Sequence, residues 1–238
     1  MKAVILAAGK GTRMKDITKS IPKPMAQINE KPMLEHIIRF IGDAGITDFG
    51  IVVGYKQSVV QDHFGNGSSF GVSITYIEQK EQNGTGAALH LAQDFVSGES
   101  FFFSFGDVVT PRDNYISMID CYKKTSCDAL LGLNTVDDPY RGGAVYIDED
   151  KNIIRMVEKP PKGTSKTNLN NAGIMVLNHD IFSYTARLTI SPRGEYELTD
   201  VFGMLRNDGR ILKGYVLTGY WKDVGTPEDL AEAHILLS

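Results

Sequence analysis

Cysteine is scarce in this 238-residue chain, with only Cys121 and Cys127 present. Two cysteines without C-x-x-C spacing exclude a disulfide framework and read as reduced core thiols. No apolar run approaches ~20 residues, the length needed to span a bilayer as a helix. The first residues, Met1 to Leu6, form a short apolar strand that runs into glycine and lacks the basic start and long apolar stretch of a leader. A cytoplasmic location, with no membrane partner, is therefore expected. An excess of positive charge is also missing: 25 Lys and Arg face 29 Asp and Glu, a formal net charge of -4. That balance argues against nucleic acid as a partner, whose binders carry a basic footprint. It leaves small anions open, because a few cations in a cleft can outvote the overall sign. The histidines (His36, His63, His90, His179 and His234) are scattered without metal-ligand spacing.

What is present reads as one α/β domain over residues 1–238. Val4 to Ala7, Phe49 to Val53, Val72 to Ile77 and Phe101 to Phe105 are strand-like apolar runs. Helical spacing separates them at Pro32 to Ala44, Gln57 to Phe64 and Gly86 to Phe95. Continuous apolar strands alternating with helices predict a Rossmann-like, mostly parallel sheet covered on both faces. From about residue 130 the pattern changes to strands separated by turns, at Ala129 to Leu133, Ala144 to Ile147, Ile153 to Glu158 and Ala172 to Leu177. Helices return at Tyr196 to Asn207 and Pro227 to Leu237, with strand-like Arg210 to Val216 between them. The expectation is a first half that binds one substrate, about residues 1–130, and a smaller β-rich second half, about 131–238, that binds another. Right-handed crossovers gather the loops after the parallel strands on one rim, where ligands of such sheets bind.

The first rim loop reads Ala7-Ala8-Gly9-Lys10-Gly11-Thr12-Arg13-Met14. Glycines there allow close backbone approach to a phosphate. The loop is not a Walker A sequence, and Met14 stands where G-x-G-x-x-G requires its third glycine. Arg13 and Lys23 add two cations within ten or so residues of it, a fitting answer to a triphosphate's roughly four negative charges. Asp107 follows the strand Phe101 to Phe105 at its carboxyl end, where a carboxylate is placed to hold Mg2+, a hard cation that prefers oxygen ligands.

The run Ala8 to Met14 followed by Pro22-Lys23-Pro24-Met25 resembles the signature of the sugar-1-phosphate nucleotidyltransferases. Further matches follow in order along nearly the whole chain. Gln79 to Ala87 resembles the segment that reads a pyrimidine edge, implying nucleotide contacts from Ala7, Ala8, Gly9, Gly11, Thr12, Arg13, Gln79, Gly84 and Thr85. A glutamine amide offers both the donor and the acceptor such an edge requires. The Gly84-Thr85-Gly86 spacing is similar to that of uridylyltransferases. The resemblance implies metal ligation by Asp107 and by Asp223 of the Trp221 to Pro227 segment. Tyr140 to Ala144, Glu158-Lys159-Pro160, Asn171-Ala172-Gly173 and Gly194 to Asp200 resemble the sugar-facing segments. They implicate Gly143 (or Gly142), Glu158, Lys159, Asn171 and Glu195 in holding the sugar phosphate, while Thr199 and Asp200 read as capping and packing residues. Pro160 to Asn170, rich in Pro, Lys, Ser and Thr, reads either as a lid or as a plain exposed loop.

The implied activity is Mg2+-dependent transfer of a nucleoside monophosphate from UTP to a sugar 1-phosphate, glucose 1-phosphate foremost, with release of pyrophosphate. Arg13, Lys23 and Asp107 are its expected catalytic residues. The nucleophile is already an anion, so no general base is required. The alternatives are dTTP as donor, a cytidylyltransferase for a non-sugar phosphate, and a regulatory subunit that senses nucleotide sugar. A homo-oligomer is compatible with the resemblance.

Overall fold

The structure, a computed structural model, describes residues 1–14 and 17–237. A nine-stranded mixed sheet forms its centre. Strands β1 (Lys2–Leu6), β4 (Asp48–Val53), β5 (Ser73–Glu78) and β6 (Phe101–Phe105) run parallel in the order β6-β1-β4-β5. The hairpin strands β2 (Gln27–Ile28) and β3 (Lys31–Pro32) stand apart as a separate ribbon. Helices α1 (Ile17–Ser20), α2 (Met33–Asp43), α3 (Gln57–Phe64), α4 (Thr85–His90) and α5 (Gln93–Val96) connect these strands. The apolar pattern explains the arrangement. Ala3, Ile5 and Phe102 pack with α2 and α6 (Arg112–Lys124) on one face, while Val4, Phe101 and Phe103 pack on the other with α4, α7 (Ile181–Thr185) and α8 (Leu198–Asn207). Residues adjacent in a strand point to opposite faces, so two buried faces demand an unbroken apolar run.

The strands of the second half extend the same sheet. β11 (Leu169–Leu177) lies antiparallel beside β6, and it also pairs antiparallel with β8 (Ala129–Thr135) and β9 (Gly143–Ile147). β10 (Ile153–Glu158) pairs with β9, and β12 (Leu212–Val216) runs parallel to β8. The register along β11 shifts between Asn171 and Met175, with Gly173 at φ +78°. A bulge of this kind bends a strand and re-aims side chains. A two-residue pair, β7 (Val108–Val109) with β13 (Lys222–Asp223), ties the exit of β6 to the segment before the last helix α9 (Pro227–Leu236). The α/β class and nearly all the strands and helices expected from the sequence are present; α7 carries too few residues to show a period. Cys121 and Cys127 are free, half-buried and packed against the core. Burial pushes the Cys127 thiol up to about 11.

Away from the rim, Glu35 on α2 is an almost fully buried carboxylate. Burial works to raise its pKa, but hydrogen bonds from Arg39 Nε (2.8 Å) and His63 Nε2 (3.1 Å) outweigh it and hold the group below its ordinary 4.5. A folded-state pKa below the unfolded one means stabilisation that is present above pH 4.5 and drains away as pH falls through the folded value. Glu35→Gln should therefore cost about 1 kcal/mol at neutral pH. Urea unfolding of both proteins should show that gap closing as pH is taken below 4.5, and a gap that stays constant would contradict the account.

Candidate active site

One cleft of about 960 Å³ opens along the rim. One wall comes from the carboxyl ends of the parallel strands. After β1, Ala7 N donates to Val52 O at 2.8 Å, and Ala8 O accepts from Gln82 Nε2 at 2.7 Å. The chain then turns at Gly11, whose φ of +63° only glycine adopts readily. A Cβ there would lie 2.6 Å from Lys23 Cβ, so the turn presses on the stem of that lysine. Arg13 extends across to Gly225, whose missing side chain lets the guanidinium lie against the backbone; a Cβ would sit 3.2 Å from Arg13 Cζ.

Beyond β5, Gln79 is buried in the wall, with its N–H on Val53 O at 2.7 Å and its side-chain amide near Asn83. The segment after it is fixed from the opposite side of the cleft. Tyr196 N donates to Asn83 O and Gly86 N donates to Tyr196 O, each at 2.8 Å. Thr85 Oγ1 accepts from Leu198 N at 3.1 Å.

Asp107 and Asp223 are 116 residues apart in sequence, by 223 minus 107, yet both line the cleft. The β7–β13 pairing, with Asp223 opposite Val108, and the bond from Val224 N to Asp107 O (2.9 Å) bring them together. Lys23 Nζ stands between the two, 2.6 Å from Asp107 Oδ2 and 3.3 Å from Asp223 Oδ1. Burial disfavours its charge, but the two carboxylates override that and hold its pKa above the ordinary lysine value. Partial desolvation in the cleft and then the Asp107 charge push the Asp223 carboxyl above its usual range, against the pull of Lys23. The ammonium shows that a cation fits between these carboxylates. Two hard oxygen donors suit Mg2+, which commonly completes its shell with substrate phosphates and water. Among the described residues no group of three or more His, Cys, Asp or Glu is arranged to hold a metal without such help.

The far wall is built from β9, β10, β11 and the loop before α8. Gly142 and Gly143 both line it. A Cβ on Gly143 would lie 3.6 Å from Glu158 Oε2, whereas one on Gly142 would collide with Asn170 Oδ1 at 2.3 Å. Gly143 is thus the glycine beside Glu158, and Gly142 is bare because Asn170 fills its space. Glu158 accepts from Thr199 Oγ1 at 2.7 Å and faces Arg193 Nη1 at 3.5 Å. Arg193 also pairs with Glu197 at 3.0 Å; desolvation first, then the other carboxylates nearby, raise the Glu197 pKa despite that arginine. Lys159, Asn171 and Glu195 line the same wall. Asn171 Oδ1 accepts from Gly173 N at 3.1 Å, and Trp221 Nε1 donates to Ala172 O at 2.8 Å.

Of the residues proposed from sequence, Ala8, Gly9, Arg13, Gln79, Gly84, Thr85, Asp107, Gly143, Glu158, Lys159, Asn171, Glu195 and Asp223 border this cleft. Ala7 is buried beneath the loop, Gly11 faces Lys23 and Thr18, and Thr12 lies outside the lining. Lys23 reaches the site only through the two carboxylates. The sequence gives no individual role to Gln82, Arg193 or Trp221 and reads Thr199 as a capping and packing residue, whereas all four line the cleft. Arg193 stands one residue before the Gly194-Glu195 run that drew attention, in a loop without period.

The nucleotidyl transferase family matches residues 2–238. The chain belongs to that family. It is 40% identical over 238 residues to the bifunctional protein GlmU of Methanococcus aeolicus, an alignment that takes in 99% of this chain and 54% of that one. Curated relatives of this kind are longer, and the chain spans 53% to 66% of their length. Among solved structures, a Bacillus anthracis protein assigned as a glucose-1-phosphate thymidylyltransferase, crystallised with sucrose, superposes with a TM-score of 0.91 at 33% identity, covering 99% of this chain and 94% of its own. A UDP-glucose pyrophosphorylase crystallised with UDP-glucose superposes with a TM-score of 0.88 at 25% identity, covering 98% and 97%. Both carry the nucleotide-diphospho-sugar transferase fold, and so does this chain.

Proposed function

We propose that this chain transfers a nucleoside monophosphate from UTP to a sugar 1-phosphate, glucose 1-phosphate foremost, and releases pyrophosphate. The observation that carries the reading is the position of Asp107 and Asp223 between two unlike walls of one cleft. On one side stand the glycine loop, Arg13 and Gln79; on the other stand Glu158, Lys159 and Asn171, donors and acceptors suited to a phosphorylated polyol. A phosphate oxygen of the sugar 1-phosphate would attack the α-phosphorus in line, forming one P–O bond as the bond to the pyrophosphate oxygen breaks. Asp107 and Asp223 would hold Mg2+, whose contribution is to neutralise phosphate charge. Arg13 binds the departing pyrophosphate from the glycine loop, and Lys159 orients the attacking phosphate. Lys23 keeps the paired carboxylates from repelling one another. Glu158, locked by Thr199, accepts sugar hydroxyls, and Gln79 reads the base edge. The rate then comes from positioning and charge, with no group required to remove a proton.

The likeness to a thymidylyltransferase favours dTTP as a second donor reading. Thymine and uracil offer Gln79 the same hydrogen-bonding edge and differ by one methyl group, so the choice rests on shape around the ring. Pyrophosphate release with Mg2+ across UTP, dTTP, CTP, GTP and ATP, each against a panel of sugar 1-phosphates, tests the proposal. UTP with glucose 1-phosphate is expected to be the fastest pair. A preference for dTTP keeps the mechanism and changes the donor. Silence from folded protein across the panel rejects the sugar reading and moves the weight to a non-sugar phosphate acceptor or a nucleotide-sugar sensor.

A further inference from the structure

Residues 159–168 cross from β10 to β11 as a strap beside the sugar-side wall, exposed at Pro161 to Thr164 and buried at Pro160. The strap is tied at both ends. Lys159, at φ +42°, donates its N–H to Gly142 O at 2.8 Å. At the other end Thr167 Oγ1 donates to Val145 O at 2.8 Å, and Val136 N donates to Asn168 O at 2.9 Å. Between these ties, among the described residues, two hydrogen bonds join residues 160–166 to the body of the protein. Gly163 N donates to Asp138 Oδ2 at 2.7 Å, and Lys166 N donates to Tyr146 OH at 3.2 Å. Lys162 Nζ adds a contact 5.4 Å from the Tyr140 ring.

The Asp138 bond is the shorter of the two and the one with a charged acceptor, which makes it the stronger. Asp138 itself lines the cleft with Lys159. Among the described residues, three buried side-chain oxygens without a hydrogen-bond partner belong to this region: Asp138 Oδ1 in the loop between β8 and β9, Ser165 Oγ in the strap and Asn170 Oδ1 at the start of β11. The Gly163–Asp138 bond is then the tie that decides where the middle of the strap lies, four residues beyond Lys159.

We infer that Asp138 is a positioning residue: its carboxylate anchors the strap through the Gly163 N–H and thereby fixes Lys159 toward the phosphate of the bound sugar. Asp138 makes no bond to the reacting atoms. The inference rests on the sugar-phosphate reading of the far wall for its kinetic consequence, and on the hydrogen bond alone for its structural one.

The test uses the full chain with Asp138→Ala and Asp138→Asn. The asparagine retains an oxygen that accepts from Gly163. Loss of the tie in Asp138→Ala should raise KM for the sugar 1-phosphate about tenfold, the worth of one charge-assisted hydrogen bond, with KM for the nucleotide changed less than about twofold. Asp138→Asn should recover most of that loss. Hydrogen exchange, which needs no substrate, should show the Gly163 amide losing protection about tenfold in the alanine variant and keeping it in the asparagine variant. Unchanged exchange at Gly163 overturns the tie. Faster exchange with unchanged sugar KM overturns the link to Lys159. An asparagine variant as impaired as the alanine one overturns the role of the accepted bond and assigns it to charge. If the wild-type protein turns over no sugar 1-phosphate at all, the functional reading fails, and the exchange result still decides whether the tie exists.

Discussion

Asp107→Ala should lower the rate of pyrophosphate release by at least about a hundred- to a thousandfold, the scale of loss when a support of transition-state charge stabilisation is removed, here a ligand of the proposed Mg2+. The architecture makes this a clean experiment. Asp107 reaches the β13 segment through its backbone oxygen, which accepts from Val224 N at 2.9 Å, and that bond survives the substitution. The apolar neighbours Val108 and Val109 remain buried and paired with β13. What disappears is one of two carboxylates flanking Lys23, leaving that ammonium with Asp223 at 3.3 Å. The fold should persist, shown by an unchanged circular dichroism spectrum and a thermal midpoint within a few degrees. An alanine variant that retains near wild-type turnover would remove Asp107 from the chemistry. A variant that unfolds would instead show that the Lys23 ion pair is structural.

How much of this could be read from the sequence depended on the range of the interaction. The parallel strands announced themselves because Val4 and Ile5, or Phe101, Phe102 and Phe103, must satisfy two cores at once, and that requirement writes an unbroken apolar run. Asp107 was visible for a local reason, since it ends such a run. Its meeting with Asp223 was not. The two are joined by a two-residue strand pair too short to leave a pattern, and only the family resemblance brought Asp223 forward. The part Gly11 plays in the glycine loop is likewise hidden from the sequence, because it depends on Lys23, twelve residues further along. Flexibility at Gly11 reads as phosphate contact, whereas in three dimensions the turn presses on Lys23 and the loop's lining atoms come from Ala8, Gly9 and Arg13. Arg193 and the bond from Thr199 to Glu158 depend on where an irregular loop lands, which composition does not encode.

Gly84→Ala should be the most disruptive single-methyl change in the cleft. Gly84 adopts φ +123°, a conformation that an L-residue rarely takes, so strain arises before any contact is considered. The added Cβ would lie 2.4 Å from Tyr196 O and 2.6 Å from Tyr196 N. These are backbone atoms held in place by bonds to Asn83 O and from Gly86 N, so no rotamer change relieves the clash. The two walls of the cleft are stitched together at this crossing. Pushing Tyr196 away breaks the stitch, moves Thr85 from Leu198 N and shifts the segment between Gln79 and Gly86, to which the proposed function gives the base. A cost of about 3 kcal/mol or more in stability is expected, the sum of strain and two weakened hydrogen bonds. Nucleotide affinity should fall with it, by at least about tenfold where protein remains folded. Urea unfolding and titration of the nucleotide measure the two separately. Loss of stability with full nucleotide affinity would mean that the crossing supports the fold without shaping the base site. Loss of affinity in a protein of normal stability would mean that the segment yields locally and that Tyr196 stays where it is.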